Sequence, residues 1–78
     1  MTDAQLAHEA QNIRQNEAFQ KALDAIRSLA LEGLVRTPAT DTEAIRDHQA
    51  RVRVVDDLRG HLEAYIRAGE PKRKPGIV

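Results

Sequence analysis

Seventy-eight residues with twelve basic and twelve acidic side chains and no cysteine allow one domain at most. They exclude a disulfide-stapled scaffold and disfavour a globally basic nucleic-acid binder. Apolar residues make up 41% of the chain, but twelve of them are alanines and the only aromatic rings are Phe19 and Tyr65, so any core is thin.

The chain opens with a helix start. Thr2-Asp3-Ala4-Gln5 fits a capping box, with Thr2 as N-cap and Gln5 reaching back to it. Leu6, Ala10 and Ile13 then follow at spacings of four and three, one face of a helix. A second stripe, Phe19, Leu23, Ile26, Ala30 and Leu34, is out of phase with the first at about 100° per residue. Asn16 lies between the stripes as a plausible N-cap. The expected elements are a short arm over 3–14, a break near Gln15-Asn16, and a helix over 17–32; one continuous helix with a rotating buried face is the alternative.

Gly33 stands where a helix would end in the left-handed conformation, with Leu34 and Val35 folding back to seal the end. Thr37-Pro38 forces extended backbone at Thr37. Thr40-Asp41-Thr42-Glu43 is a second capping box, opening a long helix over 41–68 that stops at Gly69 before Pro71. A connection of about seven residues makes an antiparallel hairpin the expected product.

Along the long helix Ile45, His48, Val52, Val55, Arg59, Leu62, Ile66 and Gly69 alternate spacings of three and four, the seam of a helix packed lengthwise on another. Asp47–Arg51, Arg53–Asp57 and Glu63–Arg67 are spaced to support the helix from its surface, each by about 0.2–0.5 kcal/mol. Gly60, inside the helix at a cost of up to about 1 kcal/mol, suggests close approach by a neighbour. The plain reading of His48 is a seam histidine near an edge; the alternative is a hydrogen bond across an interface or an assembly contact sensitive to pH. Arg59 would either meet Glu17 or Asp24 from the first helix, or lay its stem over the seam with its charge in water.

The fold is therefore expected to be all-α: one domain over 1–70, an antiparallel two-helix hairpin with a short N-terminal helical arm, completed by oligomerisation or by a partner. The arm and helix 17–32 leave it open whether the end of the long helix is covered in cis or by another chain. The protein interface expected from the seam comprises Phe19, Leu23, Ile26, Ile45, His48, Val52, Val55, Leu62 and Ile66. The last eight residues, 71–78, form a basic tail expected to be extended and mobile unless a partner fixes them.

Catalytic chemistry has no foothold in the pattern. His8, His48 and His61 lack second ligands at zinc-motif spacing, and there is no phosphate loop or nucleophile elbow. Ser28, the only serine, lies in mid-helix. No enzyme, cofactor or metal is expected. Lys72, Arg73 and Lys74 are a candidate contact for phosphates or an acidic protein surface, without aromatic interleaving to stack bases. No run approaches the ~18 apolar residues that span a bilayer, and the start, MTDAQLAHEAQ, lacks the regions of a secretory signal.

The order of features has a counterpart elsewhere. An alanine-rich arm leads into NEAFQKALDAI; a Thr37-Pro38 turn, an acidic helix start at Asp41-Thr42-Glu43, Leu58 and Leu62, and Ile66-Arg67-Ala68-Gly69-Glu70 follow. Over about residues 5–70 the chain resembles the small helical-hairpin proteins of the structural modules of tailed bacteriophages and prophages. The resemblance implies a virion-structural or head-assembly role, as a repeated copy on a larger shell or connector, in the virion or the host cytoplasm. A small nucleic-acid-associated or regulatory protein using the basic tail is the alternative.

Overall fold

A computed structural model describes residues 1–70 and consists there of three helices: α1 (Asp3–Arg14), α2 (Glu17–Arg36) and α3 (Thr42–Ala68). The all-α class is as expected. The architecture differs from a two-helix hairpin with a minor arm, because α1 is a packing helix in its own right. The tail 71–78, with Lys72, Arg73 and Lys74, lies outside the described residues.

Local chemistry fixes each start. The capping box at Thr2 is present, with Thr2 Oγ1 accepting from Gln5 N–H at 3.1 Å and Gln5 Oε1 accepting from Thr2 N–H at 2.9 Å. Asn16 caps α2 through Oδ1, which accepts from Phe19 N–H at 2.8 Å. This cap breaks the first leg into two helices and resets its rotation, so Leu6 and Ala10 of the first stripe and Phe19, Leu23, Ala30 and Leu34 of the second are covered, while Ile13 and Ile26 stay exposed. The N-cap of α3 is Asp41, not Thr40, its Oδ1 accepting from Ala44 N–H at 3.1 Å. A carboxylate suits that end better, because it adds charge to the cap.

Gly33 does not end α2. The helix runs through it to Arg36, and Thr37 is extended (φ −77°, ψ 129°). Pro38 supplies the reason, since the residue before a proline is driven out of the helical region. The hydroxyl and the N–H of Thr37 both donate to the carbonyl of Gly33. The link to α3 is consequently shorter than expected.

The close approaches pair the first leg with α3 in steadily opposite order. Ala7 meets Gly69, Arg14 meets Glu63, Asp24 meets Arg59, Arg27 meets Asp56 and Gly33 meets His48. Helices α1 and α2 thus lie end to end along one side of α3, antiparallel to it. At 1.5 Å per residue α3 is about 40 Å long and α2 about 30 Å, and α1 covers the remainder in cis. Its small Ala7 and Ala10 are buried there. Ala10, Leu62 and Ile66 cluster, with Phe19 packed against them.

The expected seam is therefore mostly internal. Leu23, Val55, Leu62 and Ile66 are buried, and Phe19, Ile45, His48 and Val52 are half-buried within the chain itself. Of the nine residues expected to form a protein interface, only Ile26 is exposed. The buried core comprises four large side chains (Leu23, Val55, Leu62, Ile66) and the alanines 7, 10 and 30.

Glycine placement corrects a further expectation. Gly60 has open space where a side chain would stand, so nothing packs closely there. The close approaches are at Gly33 within α2 and at Gly69, the residue that caps α3. A Cβ on Gly33 would lie 2.6 Å from His48 Nδ1, and one on Gly69 would lie 2.9 Å from the carbonyl oxygen of Asp3 and collide with Ala7.

Candidate interaction surface

The hairpin is a single layer of helices with two long edges of opposite character. A step of about 100° per residue places Asp24 and Arg27 on one side of the inward line Leu23–Ala30–Leu34, and Ile26 and Leu29 on the other. On α3 the same step separates Asp56 and Glu63 from Val54, Leu58 and Tyr65. The ion pairs establish which edges meet.

One edge is stitched by charge. Arg14 Nη1 reaches Glu63 Oε1 at 3.1 Å, Arg27 Nε reaches Asp56 Oδ1 at 2.9 Å, and Arg59 Nη2 reaches Asp24 Oδ1 at 2.6 Å. The Arg59 guanidinium also donates to Gln20, to its side-chain oxygen at 3.2 and 3.3 Å and to its carbonyl at 3.4 Å. Of the two fates open to Arg59, the acid-paired one holds, with Asp24. The hydrogen bond from Arg27 holds the Asp56 carboxyl below its ordinary value, and the same bond raises Arg27.

The surface-supporting pairs expected along α3 do not form among the described residues. Of the acids in those pairs, Glu63 turns across to Arg14, whose Nη1 donates to both of its carboxylate oxygens. Among the described residues the one i,i+4 ion pair is Glu17–Lys21 on α2, at 3.4 Å.

The other edge is apolar. A groove of about 280 Å³ runs between α2 and α3, lined by Leu23, Ile26, Ala50, Arg51, Val54, Val55 and Leu58. Beside it Leu29 is 67% exposed, Val54 65%, Ile26 47% and Leu58 39%. The line continues along α3 to His61 and Tyr65, whose rings lie 6.2 Å apart. Ile13 falls on this edge of α1, next to a small cavity shared with Asn12, Asn16 and Phe19. Among the described residues, six of the nine large exposed hydrophobic residues thus share one edge, and Met1, Leu31 and Val35 lie elsewhere.

Sequence reasoning placed Leu23, Ile26 and Val55 of this groove in the expected interface and missed Leu29, Val54, Leu58 and Tyr65. The signal was a second heptad-like line on α3, Arg51, Val54, Leu58, His61 and Tyr65, alternating three and four beside the seam. It was hidden because the seam itself has the same spacing and more large residues.

Chemistry of other kinds finds no built site. Among the described residues no three His, Cys, Asp or Glu side chains gather as a metal site, and no helix is long and apolar enough to cross a membrane. His8 and His61 are exposed. His48 Nδ1 is buried against Gly33 and has no hydrogen-bond partner among the described residues. Comparison with protein-family models, with curated proteins and with solved structures finds no match. What the fold defines is a class: a small three-helix domain in which α1 and α2 run antiparallel to α3, with one charged and one apolar edge.

Proposed function

We propose that this chain is a non-enzymatic assembly protein that works by packing helices against helices. The observation that carries this reading is the single helical layer with an apolar edge left open. Helical domains bury their apolar stripes between layers, and this chain supplies one layer. Its monomeric core has four large buried side chains, and a core in a chain this short rarely supplies more than about 3–5 kcal/mol. An assembly partner that holds only the folded form contributes the remainder by mass action.

The resemblance to helical hairpins of phage structural modules supports a setting in virion or head assembly, where such a chain acts in repeated copies or on a larger structural protein. Neighbouring genes for capsid, portal or terminase would support that setting, and a cellular operon without them would oppose it.

Urea unfolding at a chain concentration of about 1 μM, where association is weak, tests the assembly reading. The expected result is a shallow transition at low urea, with little native baseline. A steep transition worth more than about 5 kcal/mol would show a self-sufficient monomer and contradict it.

A further inference from the structure

We infer that α1 is a releasable strap: it swings off α3 as a unit about Asn16 while α2 and α3 stay closed, and its release uncovers Ile66, Leu62 and Phe19. The opening is a property of one chain and stands apart from the assembly reading above. Its use as a control on assembly rests on that reading.

The three helices are fastened unequally. Toward α3, α1 buries two alanines, Ala7 and Ala10, with Leu6 half-buried and Ile13 exposed. Alanine brings little apolar surface to such a contact. Among the described residues one ion pair joins α1 to the rest of the chain, Arg14–Glu63. Its side chains are 42% and 49% exposed, so water and salt weaken it. The grip of α2 on α3 is firmer. It has buried Leu23 and Ala30, the pairs Arg27–Asp56 and Arg59–Asp24, the bonds from Arg59 to Gln20, and the fit of His48 against Gly33. At twelve residues, α1 has a length at which an isolated helix is marginal in water. Its order therefore depends on docking.

The joint is built to turn. Thr2 and Gln5 cap the start of α1, and the N–H of Gln15 donates to the carbonyls of Gln11 and Ile13 at its end. Asn16 Oδ1 caps α2 through Phe19 N–H. Each helix thus satisfies these end groups from its own side of the joint. The backbone leaves the helical region at Asn16 (φ −76°, ψ 108°), and the bond from Asn16 N–H to the Ile13 carbonyl, 3.1 Å, spans the joint. Rotation at one residue between two finished helices is how a hinge absorbs a large motion.

What lies beneath α1 is apolar. Ile66 is 4% exposed and sits between Glu63 and Gly69, both of which lie against α1. It clusters with Ala10 and Leu62, and Phe19 packs on the cluster. Leu58 and Tyr65, beside it on α3, are already exposed. Release of α1 lengthens the open apolar edge toward the end of α3. Within the assembly reading α1 is then an autoinhibitory contact, which withholds that stretch until it lets go.

Native-state hydrogen exchange of the full chain reads the opening without a substitution. The amides of Ala7, Ala10 and Arg14 should share one rate, at least about tenfold faster than those of Ala30 and Val55. Gly33→Ala, at the far end of the layer, should speed Ala30 and Val55 by at least about fivefold and leave Ala7 and Ala10 unchanged, because α2 and α3 stay closed when α1 opens. The chain has no cysteine, so Ile66→Cys reports the uncovering. Its reaction with iodoacetamide should be unmoved by Gly33→Ala, whereas that of Val55→Cys should accelerate with it. One common exchange rate over all three helices overturns the inference, as does an α1 rate or an Ile66→Cys reaction that Gly33→Ala raises along with those of α2 and α3. Exchange that slows steadily from Ala7 until it meets the α2 rate at Arg14 is fraying of a chain end, and overturns it too. None of these outcomes touches the assembly reading, and a steep, self-sufficient monomer in urea would remove that reading and leave the strap.

Discussion

The imidazole of His48 occupies the space that a side chain on Gly33 would need. Atoms of the ring lie within 2.7 Å of the position of such a Cβ, so α2 and α3 touch there through a ring and a bare backbone. Gly33→Ala should destabilise the hairpin by about 1–3 kcal/mol, the usual cost of overpacking. In the double variant Gly33→Ala, His48→Ala the collision is gone. The two substitutions should therefore couple by about 1 kcal/mol or more, read from urea midpoints. Additive effects would mean that ring and glycine do not meet.

Gly60 behaves in the opposite way. It is exposed inside α3 with nothing near its missing side chain. Gly60→Ala should stabilise by up to about 1 kcal/mol through helix propensity alone, raising the thermal midpoint. Loss of stability would show that a neighbour approaches there.

Arg59 and Asp24 are unequal partners. The Arg59 side chain is 30% exposed and Asp24 is 67% exposed, and Arg59 also holds Gln20. Arg59→Ala should cost about 1.5–3 kcal/mol, since it removes charged hydrogen bonds and the stem that lies on the seam. Asp24→Ala should cost under about 1 kcal/mol, as exposed ion pairs do. Equal losses in denaturant unfolding would mean that the ion pair alone gives Arg59 its weight.

Much of this was readable in the residues. The seam Val52, Val55, Leu62, Ile66 follows from spacing, and the caps at Thr2 and Asn16 follow from residue type, because both depend on neighbours in sequence. Two things were not readable. Gly33 has the local signature of a helix end, and only the position of His48, fifteen residues on, shows why glycine stands there. Ala10 packs with Leu62 and Ile66, and Ala7 lies against Gly69; their small side chains look like an empty face until α3 lies against them. The apolar edge escaped notice for a related reason. Leu29 and Val54 gain meaning only when α2 and α3 are set side by side.

The Asp56 carboxyl is held below its ordinary value by the hydrogen bond from Arg27. A lowered folded-state value contributes stability above the unfolded carboxyl value near 3.9. That contribution is lost as pH falls through the folded-state value. Urea midpoints should therefore decline more steeply below about pH 4 in the wild type than in Asp56→Asn. The difference should shrink in added salt, because this pair is exposed. Parallel pH profiles for the two proteins would contradict the role given to Arg27.

The central claim is that this single helical layer reaches full stability only by association, and the concentration dependence of thermal unfolding tests association between copies most directly. The midpoint should rise by several degrees as the chain concentration increases about a hundredfold, because association favours only the folded form. The same series on Leu29→Glu should be flat and low. A wild-type midpoint that does not move with concentration, with a sedimenting mass of one chain throughout, would contradict the claim.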